Sequence, residues 1–418
     1  MRAKQATFSR AGRGALAEAR SAMMGALRDL VRSAIFFVGA LALYHRLRNR
    51  QTLTVVALHR VLRRDDPRWE TTLSPWTLAD DVFDKCLDFF KRHYSLVTLG
   101  DVKASIEGTR PLPSKSLLIT FDDGFADNFD YALPQLRKHG ASAAVFVTTD
   151  VIGREERLWT EDLLWAYTAG RISQQQVACL HTRLIDESPR DREDPELIWD
   201  LVRRGPQLKE AQVHMAFSML GIELCRIKQP RQMLTRDEIA KLAISGLSIG
   251  AHGKSHTALP FSSDTATELC LPRAILSDIV ACHGQGSVDA MSFPHGAYTS
   301  ELVDQTLDAG YKLVFTGDAE LCGLEGGFLK RQKVGRVGID GRRLAPNGRF
   351  RPDVLAAALF TARRRPATPA PRGVSRRRGR LVGTYAGVDA DASLGNLPSQ
   401  RLDEPADILA SARKQKSH

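Results

Sequence analysis

No Cys-x-x-Cys pair occurs in this sequence. The six cysteines, Cys86, Cys179, Cys225, Cys270, Cys282 and Cys322, stand far apart. That spacing argues against a disulfide framework and against a cysteine-rich zinc module. Long apolar runs are missing too. The charge-free stretch from Ser33 to Tyr44 has twelve residues, well short of the ~20 that cross a bilayer as a helix. A polytopic membrane protein is therefore excluded. No internal repeat is present. The arginine runs near the ends are not interleaved with stacking aromatics, so no nucleic acid is expected as a partner. What remains is ordinary globular material. The chain has 418 residues, 43% hydrophobic and 26% charged, which excludes a wholly disordered polypeptide. Its length suits several domains or one large barrel with attachments.

The net charge of +11 is unevenly placed. Residues 1–50 carry ten Lys/Arg against two acids, and residues 362–418 carry twelve against five. About −4 is left for residues 51–361. A mildly acidic middle thus lies between two basic ends. Residues 346–418 read as a C-terminal extension, mostly disordered, with Arg363-Arg364-Arg365 and Arg376-Arg377-Arg378 in Pro-, Gly- and Ala-rich surroundings. In residues 1–50, Met23, Leu27, Leu30 and Val31 share one helical face, interrupted by Arg20, Arg28 and Arg32. Three readings stand side by side: a basic amphipathic helix resting on an anionic membrane, a helix packed on the core, or a signal or anchor sequence. With no clear signal peptide, the expected location is the cytoplasm or the cytoplasmic membrane face, an exported form remaining open.

Residues 51–345 alternate apolar β-branched runs with amphipathic stretches. Residues 53–58, 116–121, 143–149, 247–251, 290–293 and 312–316 read as buried strands. Residues 77–93, 129–139, 235–246 and 299–309 read as helices. Val82, Cys86, Phe89 and Phe90 form the inner face of the first, and Thr235 with Glu238 forms a capping box on the third. Strand–helix–strand at this spacing implies parallel pairing. Residues of about 157–233 break the pattern and read as a helical insertion. Several strands end in polar residues, and in a parallel α/β barrel those ends form the active-site face.

Three motifs carry candidate chemistry. Thr120-Phe121-Asp122-Asp123-Gly124 ends an apolar run in two carboxylates, which are costly to bury without a cation. His252-Gly-Lys-Ser-His256 places two imidazoles four apart, able to share one metal, and lacks the Glu of the H-E-x-x-H pattern. Phe293-Pro294-His295-Gly296 is a rigid turn at a strand end. Each alone is as compatible with a structural role. Together, one carboxylate and two imidazoles suit Zn²⁺ with room for water and substrate, and the second carboxylate is left to act as a base.

These motifs, in this order, resemble the polysaccharide deacetylase family (carbohydrate esterase family 4, the chitooligosaccharide deacetylase homology domain), over roughly residues 50–340. The resemblance implies a distorted (β/α)₇ barrel, a divalent metal that is usually zinc, and removal of acetyl groups from N-acetylated sugars of a glycan. It makes Asp122 the catalytic base and Asp123, His252 and His256 the metal ligands. It makes Pro294, His295 and Gly296 shapers of the substrate groove, with His295 where the family often has Tyr. Met291-Ser292-Phe293 stands where many members carry an Arg that tethers the base, and Arg336 resembles a late Arg motif able to take its place. No histidine lies between His295 and His418 to match the family's late general acid. His59, in Val56-Ala57-Leu58-His59-Arg60-Val61, resembles the Tyr-His-x-Val motif of the branch whose acid comes from the first strand. It is the expected acid, with His295 second. Two further readings remain: a catalytically silent glycan-binding relative, and an esterase or amidase for another acyl linkage.

Overall fold

The computed structural model describes residues 20, 23–155, 158–185, 191, 193–208, 210–222, 231–281 and 288–367. Its centre is a parallel sheet closed on itself. The staves are β1 (Thr52–Leu58), β2 (Ser116–Phe121), β3 (Ala144–Val147), β4 (Ser248–Ala251), β5 (Ala290–Ser292) and β6 (Leu313–Phe315). Each pairs in parallel with the next in that order. The seventh stave is bent. Its first half, β7 (Lys333–Val334), pairs with β6, and its second half, β8 (Val337–Gly338), pairs with β1. Gly335 and Arg336 form the bend between them. A Cβ on Gly335 would lie 2.4 Å from Glu320 Cγ, so only glycine lets the strand cross over here. The result is a distorted (β/α)₇ barrel.

Side chains alternate across each stave. Leu53, Val55, Leu118, Ala144, Phe146, Ala290, Leu313, Phe315 and Val334 fill one apolar cluster, the barrel interior. Their neighbours Val56, Leu117, Ile119, Phe121, Val145, Ile249, Met291 and Val314 join a second cluster beneath the outer helices. Both faces are buried, which is why these strands read as continuous apolar runs rather than alternating ones. Helix Asp80–His93 contributes Val82, Phe83, Cys86, Leu87, Phe89 and Phe90 to the outer layer. The helix Arg236–Ile244 begins with the expected capping box between Thr235 and Glu238. Between β3 and that helix lie four more, Trp159–Thr168, Gln174–Ile185, Glu196–Arg204 and Glu210–Met219. They have an apolar cluster of their own.

Three boundaries differ from the sequence reading. Residues Thr77–Ala79 are not helical but pair in parallel with Arg60–Leu62, so the helix starts at Asp80. The C-terminal extension does not begin at 346. Helix Pro352–Thr361 buries Leu355, Ala356, Leu359 and Phe360, apolar burial that an extension would lack. Arg363–Arg365, read as part of a basic tail, pairs with Glu320–Gly323, and Arg365 Nη1 donates to Glu320 Oε1 at 2.6 Å. The tail from 368 onwards lies outside the described residues. In the N-terminal segment, a helix over residues 23–37 is followed by a second, Ala40–Arg48. The second is seated on the barrel by His45, which stacks on Phe360 at 4.1 Å.

Candidate metal centre and active site

Strand parity brings the polar residues together. Leu118, Thr120 and Asp122 are two apart along β2 and its end; Ala290 and Ser292 are two apart on β5; Gly250 and His252 are two apart along β4 and its end. The interior face thus changes from apolar to polar toward the C-terminal ends. Gly250 has a packing reason. A Cβ there would lie 2.4 Å from Phe146 Cδ1.

Parity alone would point Asp123 away. The backbone corrects this: Asp123 has φ 75° and Gly124 φ 85°, so the chain reverses at once and presents the second carboxylate to the same mouth. His256 and His295 also adopt left-handed φ, 70° and 57°. Three of the five non-glycine residues with positive φ among those described therefore lie here, and strain held by the surrounding fold is typical of working sites.

Among the described residues, Asp123, His252 and His256 are the one cluster of potential ligands that can share an ion, with one donor atom from each within 4.8 Å of the others. Asp123 Oδ1 lies 3.2 Å from His252 Nε2 and 3.1 Å from His256 Nε2. It is buried, yet no hydrogen bond reaches it. A buried carboxylate oxygen facing two imidazole nitrogens at about 3 Å is a donor set that a tetrahedral divalent cation would satisfy. His252 Nδ1 contacts the Ser292 carbonyl at 2.8 Å, so the ring donates there and keeps its Nε2 lone pair for the ion. Burial raises the Asp123 pKa, but the His256 and His252 contacts outweigh it and hold the carboxyl well below the usual range.

The loop between the histidines is fixed from outside. Glu268, on helix Thr265–Ala281, is buried. Its Oε2 accepts from Lys254 N at 2.7 Å and Ser255 N at 3.1 Å, and its Oε1 accepts from the Ser255 hydroxyl at 2.6 Å. Pro294 closes the loop's other side. A Cβ on Gly253 would come within 3.1 Å of Pro294 Cγ.

Asp122 is held differently. Arg336 reaches in from the bend of the seventh stave and binds it through two parallel bonds, Nη1 to Oδ1 and Nη2 to Oδ2, both 2.7 Å. Both side chains are fully buried. Arg336 Nη2 also donates to Ser292 Oγ at 2.7 Å, and Nη1 to Thr120 Oγ1 at 3.2 Å. Burial pushes the Asp122 pKa up, but Arg336 and then His252 pull it down to about 2. Asp122 is therefore a carboxylate at any ordinary pH.

His59 follows β1. Its carbonyl accepts from the Asn128 amide at 2.9 Å. Arg60 Nε and Val61 N both bind the Asp127 carboxylate, at 2.9 and 3.0 Å. The first strand end and the Asp-Asp-Gly loop are thus tied into one unit. Burial lowers the His59 pKa, against the charges of Asp123 and Asp122. His295 packs on His256 with ring centroids 4.5 Å apart, and its Nε2 lies 3.2 Å from the His256 carbonyl. Gly296 has φ 64° and lies against Gly317, where a Cβ would meet Gly296 Cα at 3.2 Å. Every residue singled out from the sequence lies in or beside this mouth. Glu268, Thr120 and Ser292 were not assigned roles from the sequence. Parity along β2 and β5 could have found the last two; Glu268 lies twelve residues past His256 on another element, and nothing in the sequence marks it.

Residues 109–314 match the family model described as Polysaccharide deacetylase. A segment of 70 residues is 33% identical to "Putative polysaccharide deacetylase YxkH" of Bacillus subtilis (strain 168). It covers 17% of this chain and a quarter, 25%, of that relative's length. Similar solved structures include the deacetylase PplD of Streptococcus pyogenes in complex with acetate, at 15% identity and TM-score 0.46 over 74% of this chain and 98% of that one. IcaB from Ammonifex degensii is similar at 17% identity and TM-score 0.45, over 74% and 98%.

Proposed function

Because this chain belongs to the polysaccharide deacetylase family, we propose that it is a metal-dependent hydrolase that removes acetyl groups from N-acetylated sugars of a polysaccharide or glycan precursor. The observation that carries the reading is a pairing in one mouth. A His₂Asp cluster fit for Zn²⁺ or a similar divalent ion stands beside a second carboxylate that Arg336 keeps charged and aimed. When bound, such an ion polarises the acetyl carbonyl and lowers the pKa of water. Asp122 takes the proton from the attacking water. Its depressed pKa makes it a weak base, so its value lies in position and constant charge. Arg336 and Ser292 hold its orientation. His59 is the donor to the departing amine; burial lowers its pKa, so the ring is neutral at rest and must take up a proton during the cycle before it gives one. Backbone N–H groups at the loop ends are the expected donors to the developing oxyanion.

The test is acetate release from acetylated amino-sugar oligomers, with O-acetylated sugars as a parallel arm, before and after chelation. Asp122→Asn is expected to retain the metal and lose turnover. A variant with most of its activity intact would refute the assignment.

The N-terminal segment supports a membrane-surface partner. Eleven of the fifteen exposed large apolar residues among those described fall between Met23 and Leu47. Scattered exposure is ordinary, but concentration on one segment marks an interaction surface. The segment is strongly basic, which favours anionic lipid. Gly39, at φ 78°, breaks the helix within the apolar run, and no helix among the described residues is long and apolar enough to cross a membrane. Arg32 and Ser33 bind Asp353 at 2.9 and 3.1 Å, which fixes the first helix to the barrel. A docked enzyme lying on the cytoplasmic face, where anionic lipid is plentiful, fits this arrangement.

A further inference from the structure

The four-helix insertion contributes no stave to the barrel, and its core is separate. It nevertheless reaches the catalytic mouth. Helix Glu196–Arg204 is joined to the segment just past the metal-binding histidines, where Ala258 N donates to the Arg203 carbonyl at 3.0 Å. Gln207 Nε2 donates to the Phe261 carbonyl at 3.1 Å. One turn before Arg203 on the same helix is Trp199. Its ring meets Trp76 edge-on, with centroids 6.0 Å apart and planes at 75°. Trp76 in turn lies 5.9 Å from the His59 ring. His59, Trp76 and Trp199 thus form a continuous aromatic path from the reacting centre onto the insertion.

All three are half-buried, so none is sealed within the core. Trp76 is held in place by its backbone: its carbonyl accepts from Arg60 N at 3.2 Å, and its amide donates to Leu73 O at 3.0 Å. The adjoining Arg60 is locked by Asp127. The platform is therefore rigid on the barrel side and carried by a helix on the other. A pyranose ring has an apolar C–H face and a hydroxyl rim. Fixed indoles bind that face at low entropic cost while the rim stays in water.

We propose that Trp76 and Trp199 form a subsite for a pyranosyl unit next to the acetylated sugar, so that the insertion selects a polymeric or oligomeric substrate over a monosaccharide. The proposal rests on the deacetylase reading, since it takes the reacting sugar to lie at Asp122 and Asp123. The occupant is a sugar rather than a peptide because the path is continuous with that site.

Both indoles also pack on the insertion's apolar core, so a purely structural role predicts a different pattern, and the test separates the two. Full-length protein is titrated by calorimetry with N-acetylglucosamine and with its β-linked tetramer, and acetate release is followed on both. Trp199→Ala and Trp76→Ala are compared with Trp199→Phe. Loss of one stacked indole is expected to raise Kd and KM for the tetramer roughly tenfold, with kcat little changed and the monomer far less affected. Trp199→Phe should restore much of the tetramer affinity. The proposal is overturned if the variants lower the melting temperature while tetramer and monomer shift equally or not at all. It is also overturned if wild-type protein binds no tetramer. Tryptophan-dependent tetramer binding without acetate release would refute the deacetylase reading and leave the sugar subsite standing. Acetate release indifferent to both tryptophans would do the reverse.

Discussion

Replacing Arg336 by alanine leaves the Asp122 carboxylate buried with its two 2.7 Å guanidinium bonds gone. Breaking a buried pair from one side costs roughly 3–5 kcal/mol. The shift of Asp122 from 3.8 to about 2 gives a second figure of the same order, roughly 2–3 kcal/mol; it is the smaller because burial opposes it. For a barrel of this size the melting temperature should fall on the order of 10 °C. Removing both charges together is expected to be far milder, because an apolar and neutral pair needs no mutual compensation. Arg336→Met with Asp122→Asn should therefore melt well above Arg336→Ala, though without activity. The pH dependence has a definite sign. In the parent, the folded pKa is depressed, so the stabilisation is complete above about 3.8 and is lost as pH falls toward about 2. In Arg336→Ala, burial without the cation raises the folded pKa above 3.8. Protonation then relieves the variant as pH falls, and the gap in melting temperature narrows on acidification. Scanning calorimetry of metal-stripped protein between pH 4 and pH 8, roughly the range where both states survive, measures this. A gap that stays constant with pH, or a double variant no more stable than the single one, would refute the ion-pair argument.

Glu268→Gln should leave the fold intact but weaken zinc binding by about 10–100-fold, measured by competition with a chromophoric chelator; unchanged affinity would show that the histidine loop holds itself. Gly250→Ala should cost roughly 1–3 kcal/mol, because its Cβ would lie 2.4 Å from the Phe146 ring; a denaturant melt superposing on the parent's would count against the packing described. His45 is buried, which lowers its pKa to about 4, so between pH 6.5 and about 4 the unfolded chain binds a proton that the folded chain does not. Stability should fall with pH through that window, and His45→Gln should lessen the slope, as followed by chemical denaturation at each pH; an unaltered slope would sink the attribution. Leu27→Glu with Leu30→Glu should reduce sedimentation with phosphatidylglycerol vesicles tenfold or more, because apolar contact is lost and negative charge is added; parent and variant pelleting alike would remove the N-terminal helix as the lipid contact.

Much of this protein is legible along the chain. The strands were visible because both faces of a parallel barrel strand are buried, which leaves continuous apolar runs at residues 53–58 and 116–121. The helix caps were visible because a capping box is a local chemical device. Asp122, Asp123, His252 and His256 stood out only together, because two carboxylates and two imidazoles make a metal site with a base beside it, while each motif alone fits a structural role. Local pattern could not reveal the rest. The strands at Arg363–Arg365 and Lys333–Val334 are short and charged, and are strands only because a partner edge is present. Arg336, which the family resemblance singles out, lies 214 residues from Asp122, and only closure of the barrel brings the two together. Glu268 bonds to a loop on another element, and Trp199 of the insertion meets Trp76 on the barrel side. The types of residue needed for chemistry are written in the sequence. Their distances, and which acid is tethered while the other faces the histidines, were decided by the tertiary fold, because strand parity, two left-handed residues and one bent stave act over separations that no sequence period spans.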